Sequence, residues 1–128
     1  MTPDRDVLIV GGGLNGPTLA LALASAGVSS LVLDAAPLAE RGRDDFDGRA
    51  YALALSSRRM LAALGLWREL EPHAQAILEI KISDGKAGRG AAPWFLHFDA
   101  AEIDEGPMGH FLEDRWLRGA LMDAIAAE

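Results

Sequence analysis

The chain has 128 residues, 50% hydrophobic and 24% charged, enough for one domain with its own core and too apolar for a disordered segment. Its formal net charge of −7 argues against a nucleic-acid partner, because such binding rests on Lys and Arg neutralising phosphates. With no cysteine, disulfides, thiolate metal sites and cysteine nucleophiles are excluded.

The first residues, Met1-Thr2-Pro3-Asp4-Arg5-Asp6, are not a basic leader. The apolar stretch from Thr18 to Val28 is shorter than the roughly 20 residues a membrane span needs. The expected location is the cytoplasm, with peripheral contact to a membrane left open.

Val7 to Val10 is short, apolar and β-branched, the pattern of a parallel strand covered on both faces. A glycine turn follows, then a helix from about Leu14 to Ala26. Pro17 is tolerated in its first turn, where the missing N–H would lack a partner anyway. Gly16, Ala20 and Ala24 recur every four residues and give a narrow face for close packing on a sheet. Gly27 ends the helix, and Ser30 to Asp34, a strand that ends on an acid, forms a second strand parallel to the first. Ala35 to Gly48 is a long polar loop, including Pro37, Gly42 and Arg43-Asp44-Asp45.

Arg49 to Leu55 is partly extended. Ser56 or Ser57 is expected to cap a helix over Met60, Leu61 and Leu64, closed by Gly65 with Leu66 folding back. Trp67 to Leu70 adds a turn that Pro72 ends. Ala76 to Ser83 alternates as one half-buried strand with Leu78, Ile80 and Ile82 inward; Ile77 breaks the alternation. A turn-rich loop, Asp84 to Gly90, leads to a return strand, Trp94 to Phe98, which predicts an antiparallel hairpin over 76–99. Met108 to Leu112 is a last strand. Asp114 is expected to cap a closing helix with Leu117, Leu121 and Ile125 on its apolar stripe.

Gly11, Gly13 and Gly16 fit G-x-G-x-x-G between a strand and a helix, the turn that seats a dinucleotide pyrophosphate. Gly11 permits the turn, Gly13 lets phosphate oxygens approach the backbone, and Gly16 permits close packing of helix on strand. The N–H groups of Leu14, Asn15 and Gly16, at the positive end of the helix dipole, would face the anion. Asp34 lies about 20 residues beyond, where a ribose-binding carboxylate belongs. It would repel a 2′-phosphate, and Ala35 brings no basic neighbour, so NAD or FAD is favoured over NADP. A solvated strand-ending Asp is the competing reading. A mononucleotide P-loop is rejected, because Pro17 stands where its lysine must be.

Arg49 follows a loop, and its surroundings leave a solvated charge and a cofactor contact equally open. Arg115 lies in the first turn of the last helix, where a cation is disfavoured by roughly 0.3–1 kcal/mol unless an anion is near. Spacing alone favours a surface pair with Glu113 or Asp114. His73, His97 and His110 lack metal-ligand spacing. His97 and His110 read as satisfied core or sheet residues, Trp67, Trp94 and Trp116 as packing residues, and Arg58-Arg59 as a solvated helix face.

With these residues in place, the chain resembles the flavoprotein aromatic hydroxylases, the family that includes p-hydroxybenzoate hydroxylase. Within it, the chain is similar to the ubiquinone-biosynthesis hydroxylases such as 2-octaprenyl-6-methoxyphenol hydroxylase. The carrying residues are Asp6 to Gly13, Leu31 to Asp34, Phe46-Asp47-Gly48-Arg49-Ala50-Tyr51-Ala52-Leu53, Ser57 to Leu61, Leu64 to Trp67, Ile82 to Asp84 and Asp114 to Leu121. Where the family usually carries Glu, this chain has Asp34. The resemblance implies an α/β, Rossmann-like βαβ FAD-binding domain, of which residues 1–128 are the N-terminal part, with an antiparallel hairpin toward the substrate lobe. The family's later Asp-Gly and Gly-Asp motifs would lie downstream. It also implies FAD contacts at Arg49 and Arg115, NAD(P)H as transient reductant, O2, and a small aromatic or prenylated substrate. No residue is assigned as catalytic acid or base. Two other readings fit the same residues. One is a different FAD- or NAD-linked oxidoreductase; the other is a truncated, non-catalytic dinucleotide-binding module that self-associates through exposed sheet.

Overall fold

The computed structural model describes residues 4–36 and 46–128, so most of the polar loop predicted over 35–48 lies outside the described residues. Strand β1 (Val7–Val10), helix α1 (Asn15–Ser25) and strand β2 (Ser30–Leu33) form the expected βαβ unit. The two strands are parallel, in register from Val7↔Ser30 to Val10↔Leu33. Gly27, at φ +74°, closes α1: its N–H donates to the Ala24 carbonyl, and the Val28 N–H donates to that of Leu23. This is the glycine ending expected where the last carbonyls of a helix need donors.

Strand β3 (Ala50–Ala54) runs directly into α2 (Leu55–Ala63). No serine caps α2. The Leu55 N–H instead donates 3.1 Å to the Met108 carbonyl, so the sheet supplies the partner that a side-chain cap was expected to give. Gly65 and Leu66 end α2 as predicted, with the Leu66 N–H on the Leu61 carbonyl at 2.9 Å. Helix α3 (Trp67–Leu70) continues through Pro72 as a 3₁₀ turn, Glu71–His73, because proline is acceptable at the start of a turn.

The predicted strand over 76–83 is two strands. β4 (Gln75–Ile77) and β5 (Glu79–Ile82) are separated at Leu78, whose carbonyl receives the Ala100 N–H. β6 (Gly85–Lys86), β7 (Gly90–Ala91) and β8 (Leu96–Asp99) complete the hairpin. β5 pairs with β8 and β6 with β7, both antiparallel. β9 (Gly109–Glu113) is the middle strand of an antiparallel sheet ordered β3-β9-β4. Helix α4 (Asp114–Ala127) follows it without a loop. Its N-cap position is Glu113, not Asp114, and has no side-chain cap; the Asp114 carboxylate is engaged elsewhere, as described below.

The core lies where α1, α2, α3 and α4 meet β9. Leu21, Leu61, Trp67, Leu70, Leu112, Leu117 and Leu121 are buried there, which joins the βαβ unit to the antiparallel sheet. Gly109 permits the closest strand contact: a Cβ there would sit 2.2 Å from the Leu53 carbonyl oxygen.

Three burial expectations fail. β1 is covered on one face only: Ile9 is buried under α1, while Leu8 and Val10 are 60% and 83% exposed. β5 is exposed throughout, Ile80 and Ile82 included, because among the described residues only β8 packs beside it. Trp94 is 72% exposed and packs no core, whereas Trp67 is buried as expected.

Candidate functional site

Gly11 leaves β1 at φ +111°, a conformation that suits glycine, and its N–H still donates to the Leu33 carbonyl at 2.7 Å. The ladder therefore holds the turn against the end of β2. Helix α1 then starts with Leu14 at its N-cap, a side chain unable to accept a hydrogen bond, and with no acid in its first turn. Among the described residues no side chain caps its positive end.

Gly16 and Gly13 do different work. A Cβ on Gly16 would lie 1.9 Å from the Gly11 carbonyl oxygen, so only glycine lets the helix start this close to the turn. A Cβ on Gly13 would meet nothing within 4 Å, and Gly13 has no positive φ. Neither packing nor backbone geometry requires glycine there; a molecule seated against the backbone would.

Beside the turn lies a cleft of about 560 Å³. Gly11, Gly13, Leu14, Asn15 and Gly16 line it, and Tyr51 of β3 lines it as well. Five of the predicted site residues are thus brought together. Asp34 stands under the turn rather than in the cleft wall. Its carboxylate accepts from the Gly12 N–H and, at 2.7 Å, from the Ala36 N–H, which ties the end of β2 to the glycine loop.

Arg49 and Arg115 do not line the cleft. The Arg49 guanidinium pairs with Asp47 and lies 3.5 Å from Asp114 Oδ2. The Asp47 pair, joined by the Asp114 charge, raises the Arg49 pKa above its usual value. Arg115 Nε donates to Glu113 Oε2 at 2.6 Å, the surface pairing its spacing suggested. Its guanidinium also lies 4.8 Å from the Trp116 ring centroid and 5.8 Å from that of Phe46.

Sequence reasoning missed Tyr51 and Asp114. The Tyr51 hydroxyl donates to Asp114 Oδ1 at 2.8 Å, and Arg118 donates to both carboxylate oxygens at 2.9 Å. Burial raises the Asp114 pKa, but the hydrogen bonds from Arg118 and Tyr51 and the nearby guanidinium charges outweigh it, so the carboxyl sits below its ordinary value. The i, i+4 spacing of Asp114 and Arg118 was visible in the sequence; their link to Tyr51 was not.

Elsewhere, the β5–β8 pairing places Glu79, His97 and Asp99 with ligand atoms within 4.8 Å of one another, an arrangement the linear spacing did not suggest. Glu79 is already paired with Lys81 at 2.7 Å on an exposed face. His110 packs edge-on against Trp67 at 4.9 Å, but its Nδ1 is buried with no hydrogen-bond partner among the described residues, so it is not the satisfied core histidine expected. Arg59 is solvated as predicted and pairs with Glu105, whereas Arg58 lies 5.3 Å over the Trp67 ring.

Comparison with known proteins gives this geometry a family. A family model described as FAD binding domain matches residues 4–103. The chain belongs to the FAD-binding domain family. Ubiquinone hydroxylase UbiL of Rhodospirillum rubrum is 46% identical over 120 residues, which cover 94% of this chain and 27% of the relative. Two solved structures share the fold of this FAD-binding domain. PqsL of Pseudomonas aeruginosa, described as a probable FAD-dependent monooxygenase, superposes with a TM-score of 0.66 at 23% identity, over 97% of this chain and 30% of its own. The flavin-dependent monooxygenase PieE, solved with FAD and substrate, gives a TM-score of 0.62 at 25% identity, over 98% and 23%. The chain therefore spans about a quarter of the length of the relatives it matches. No helix among the described residues is long and apolar enough to cross a membrane.

Proposed function

We propose that this chain is the N-terminal FAD-binding part of a flavin-dependent monooxygenase that hydroxylates an aromatic ring, with a ubiquinone-biosynthesis prenylphenol as substrate class. The observation that carries the reading is the cleft at the glycine turn, with Gly13 open to it and, among the described residues, no side-chain cap on the helix start beside it. The identity to a ubiquinone hydroxylase supports the substrate class.

In this reading the backbone N–H groups of Leu14, Asn15 and Gly16 hold the pyrophosphate, with Gly11 and Gly13 giving it room. Asp34, fixed by the Gly12 and Ala36 amides, accepts from a ribose hydroxyl. Arg49 and Arg115 supply positive charge toward the phosphates. Bound FAD, reduced by NAD(P)H, supplies the oxygen-activating chemistry. The hairpin over 76–99 faces the substrate lobe, which gives a purpose to the exposed apolar side chains Ile80, Ile82, Leu96 and Phe98.

FAD titration followed by flavin fluorescence tests the cofactor assignment, and substrate-dependent NAD(P)H oxidation by the full-length enzyme tests the activity. Asp34→Ala should weaken FAD binding about tenfold, the loss of one well-made hydrogen bond to a charged acceptor. Unchanged affinity would remove Asp34 from the site.

A further inference from the structure

Asp114 is the one buried polar or charged side chain among the described residues, at 4% exposure. Arg118 already gives it a bidentate pair inside one helix turn. A helix-internal pair of that kind needs no third partner, and two well-packed apolar side chains would serve stability as well. Yet the Tyr51 hydroxyl, from a strand 63 residues away in sequence, is bonded to the same carboxylate, and the Arg49 guanidinium is 3.5 Å from it. Tyr51 is also the residue of the antiparallel sheet that lines the glycine-turn cleft.

We propose that Asp114 is a positioning residue: it fixes the Tyr51 side chain as the second wall of the dinucleotide cleft and tethers Arg49 to that wall. Asp114 itself does not line the cleft and acts through Tyr51. The sheet sets up the geometry. Tyr51 is in register with Leu112, two residues before Asp114, so the phenol reaches past the strand end to the first residue of α4. At that position a carboxylate is also favoured by the helix dipole. The Tyr51 phenol is held protonated above its usual range, first by its bond to Asp114 and then by burial, as expected of a donor committed to a carboxylate. The consequence for cofactor affinity rests on the FAD reading above; the hold on Tyr51 does not.

Two measurements separate these. Tyr51 is the single tyrosine of the chain, so tyrosinate absorbance during an alkaline titration reports its ionisation without any cofactor. The wild-type phenol should ionise above the ordinary range, and Asp114→Asn should bring it down. An identical titration in both proteins, each shown folded by circular dichroism, would overturn the proposal. In the second measurement, FAD affinity should fall about tenfold in Asp114→Asn and by a similar factor in Tyr51→Phe, with the double variant no weaker than either single. Wild-type affinity in a folded Asp114→Asn, or additive losses, would also overturn it. If Asp114→Asn does not fold, Tyr51→Phe with full affinity has the same force. A full-length wild-type enzyme that takes up no FAD sinks the cofactor reading instead, and the tyrosine titration still decides whether Asp114 holds Tyr51.

Discussion

The two walls of the cleft are built in opposite ways. One wall is backbone: Gly11, Gly13 and Gly16 shape it by having no side chains, and the hydrogen bonds that set it among the described residues run between the turn and the end of β2. The other wall is a side chain, Tyr51, held by a buried carboxylate at the start of α4. A backbone wall fails when volume is added. A side-chain wall fails when charge or a hydrogen bond is removed. The two should therefore respond to different perturbations.

The largest effect is expected in the glycine wall, from the same substitution at two positions. Gly16→Ala forces a Cβ to within 1.9 Å of the Gly11 carbonyl oxygen, so it should cost about 3 kcal/mol, the upper end for overpacking, and abolish FAD binding. Gly13→Ala meets no protein atom within 4 Å, so it should leave stability within about 1 kcal/mol while weakening FAD binding tenfold or more. Urea denaturation and flavin titration on both variants test the pair. Equal stability losses, or an unaffected cofactor in Gly13→Ala, would break the distinction.

The next effect belongs to the side-chain wall and appears in acid. The Asp114 carboxyl has a folded-state pKa below its unfolded value of about 3.9, so its contribution is complete above that pH and is lost as pH falls through the folded value. As pH falls below about 4 the wild type should therefore lose stability more steeply than Asp114→Asn. Thermal melts across that range measure the slopes, and parallel curves would remove the linkage.

A smaller effect is expected at His110, away from both walls. Burial, then the Arg58 charge, lowers its pKa in the folded state; Glu71 partly opposes them. The unfolded chain then takes up the proton first, so stability should decline as pH falls below about 6.5. His110→Leu should flatten that shallow slope between pH 7 and 5 in the same melts.

How much of this was legible in the sequence follows the same division. The glycine turn, the parallel pair and both glycine-ended helices depend on residues close together in the chain, and local chemistry was enough to find them. Asp114 is visible beside Arg118 and reads locally as a helix cap, because nothing local shows that a tyrosine 63 residues earlier reaches it. The strand break at Leu78 left a trace: Ile77 disturbs the alternation because β4 and β5 belong to different sheets. Burial was the least legible. Val10 and Ile82 carry the apolar character of covered strands, but among the described residues each strand is packed on one side or along one edge only.

That change of partner at Leu78 bears on how the molecule moves. β9 is bonded on both edges and backed by the core, so its amides should exchange with solvent only when the whole domain opens. Among the described residues the β5–β8 hairpin has one bonded edge per strand and no buried side chain, so its amides should exchange by local opening. Hydrogen exchange should therefore divide this chain at Leu78, with slow amides in β9 around the cleft and faster ones in β5 and β8.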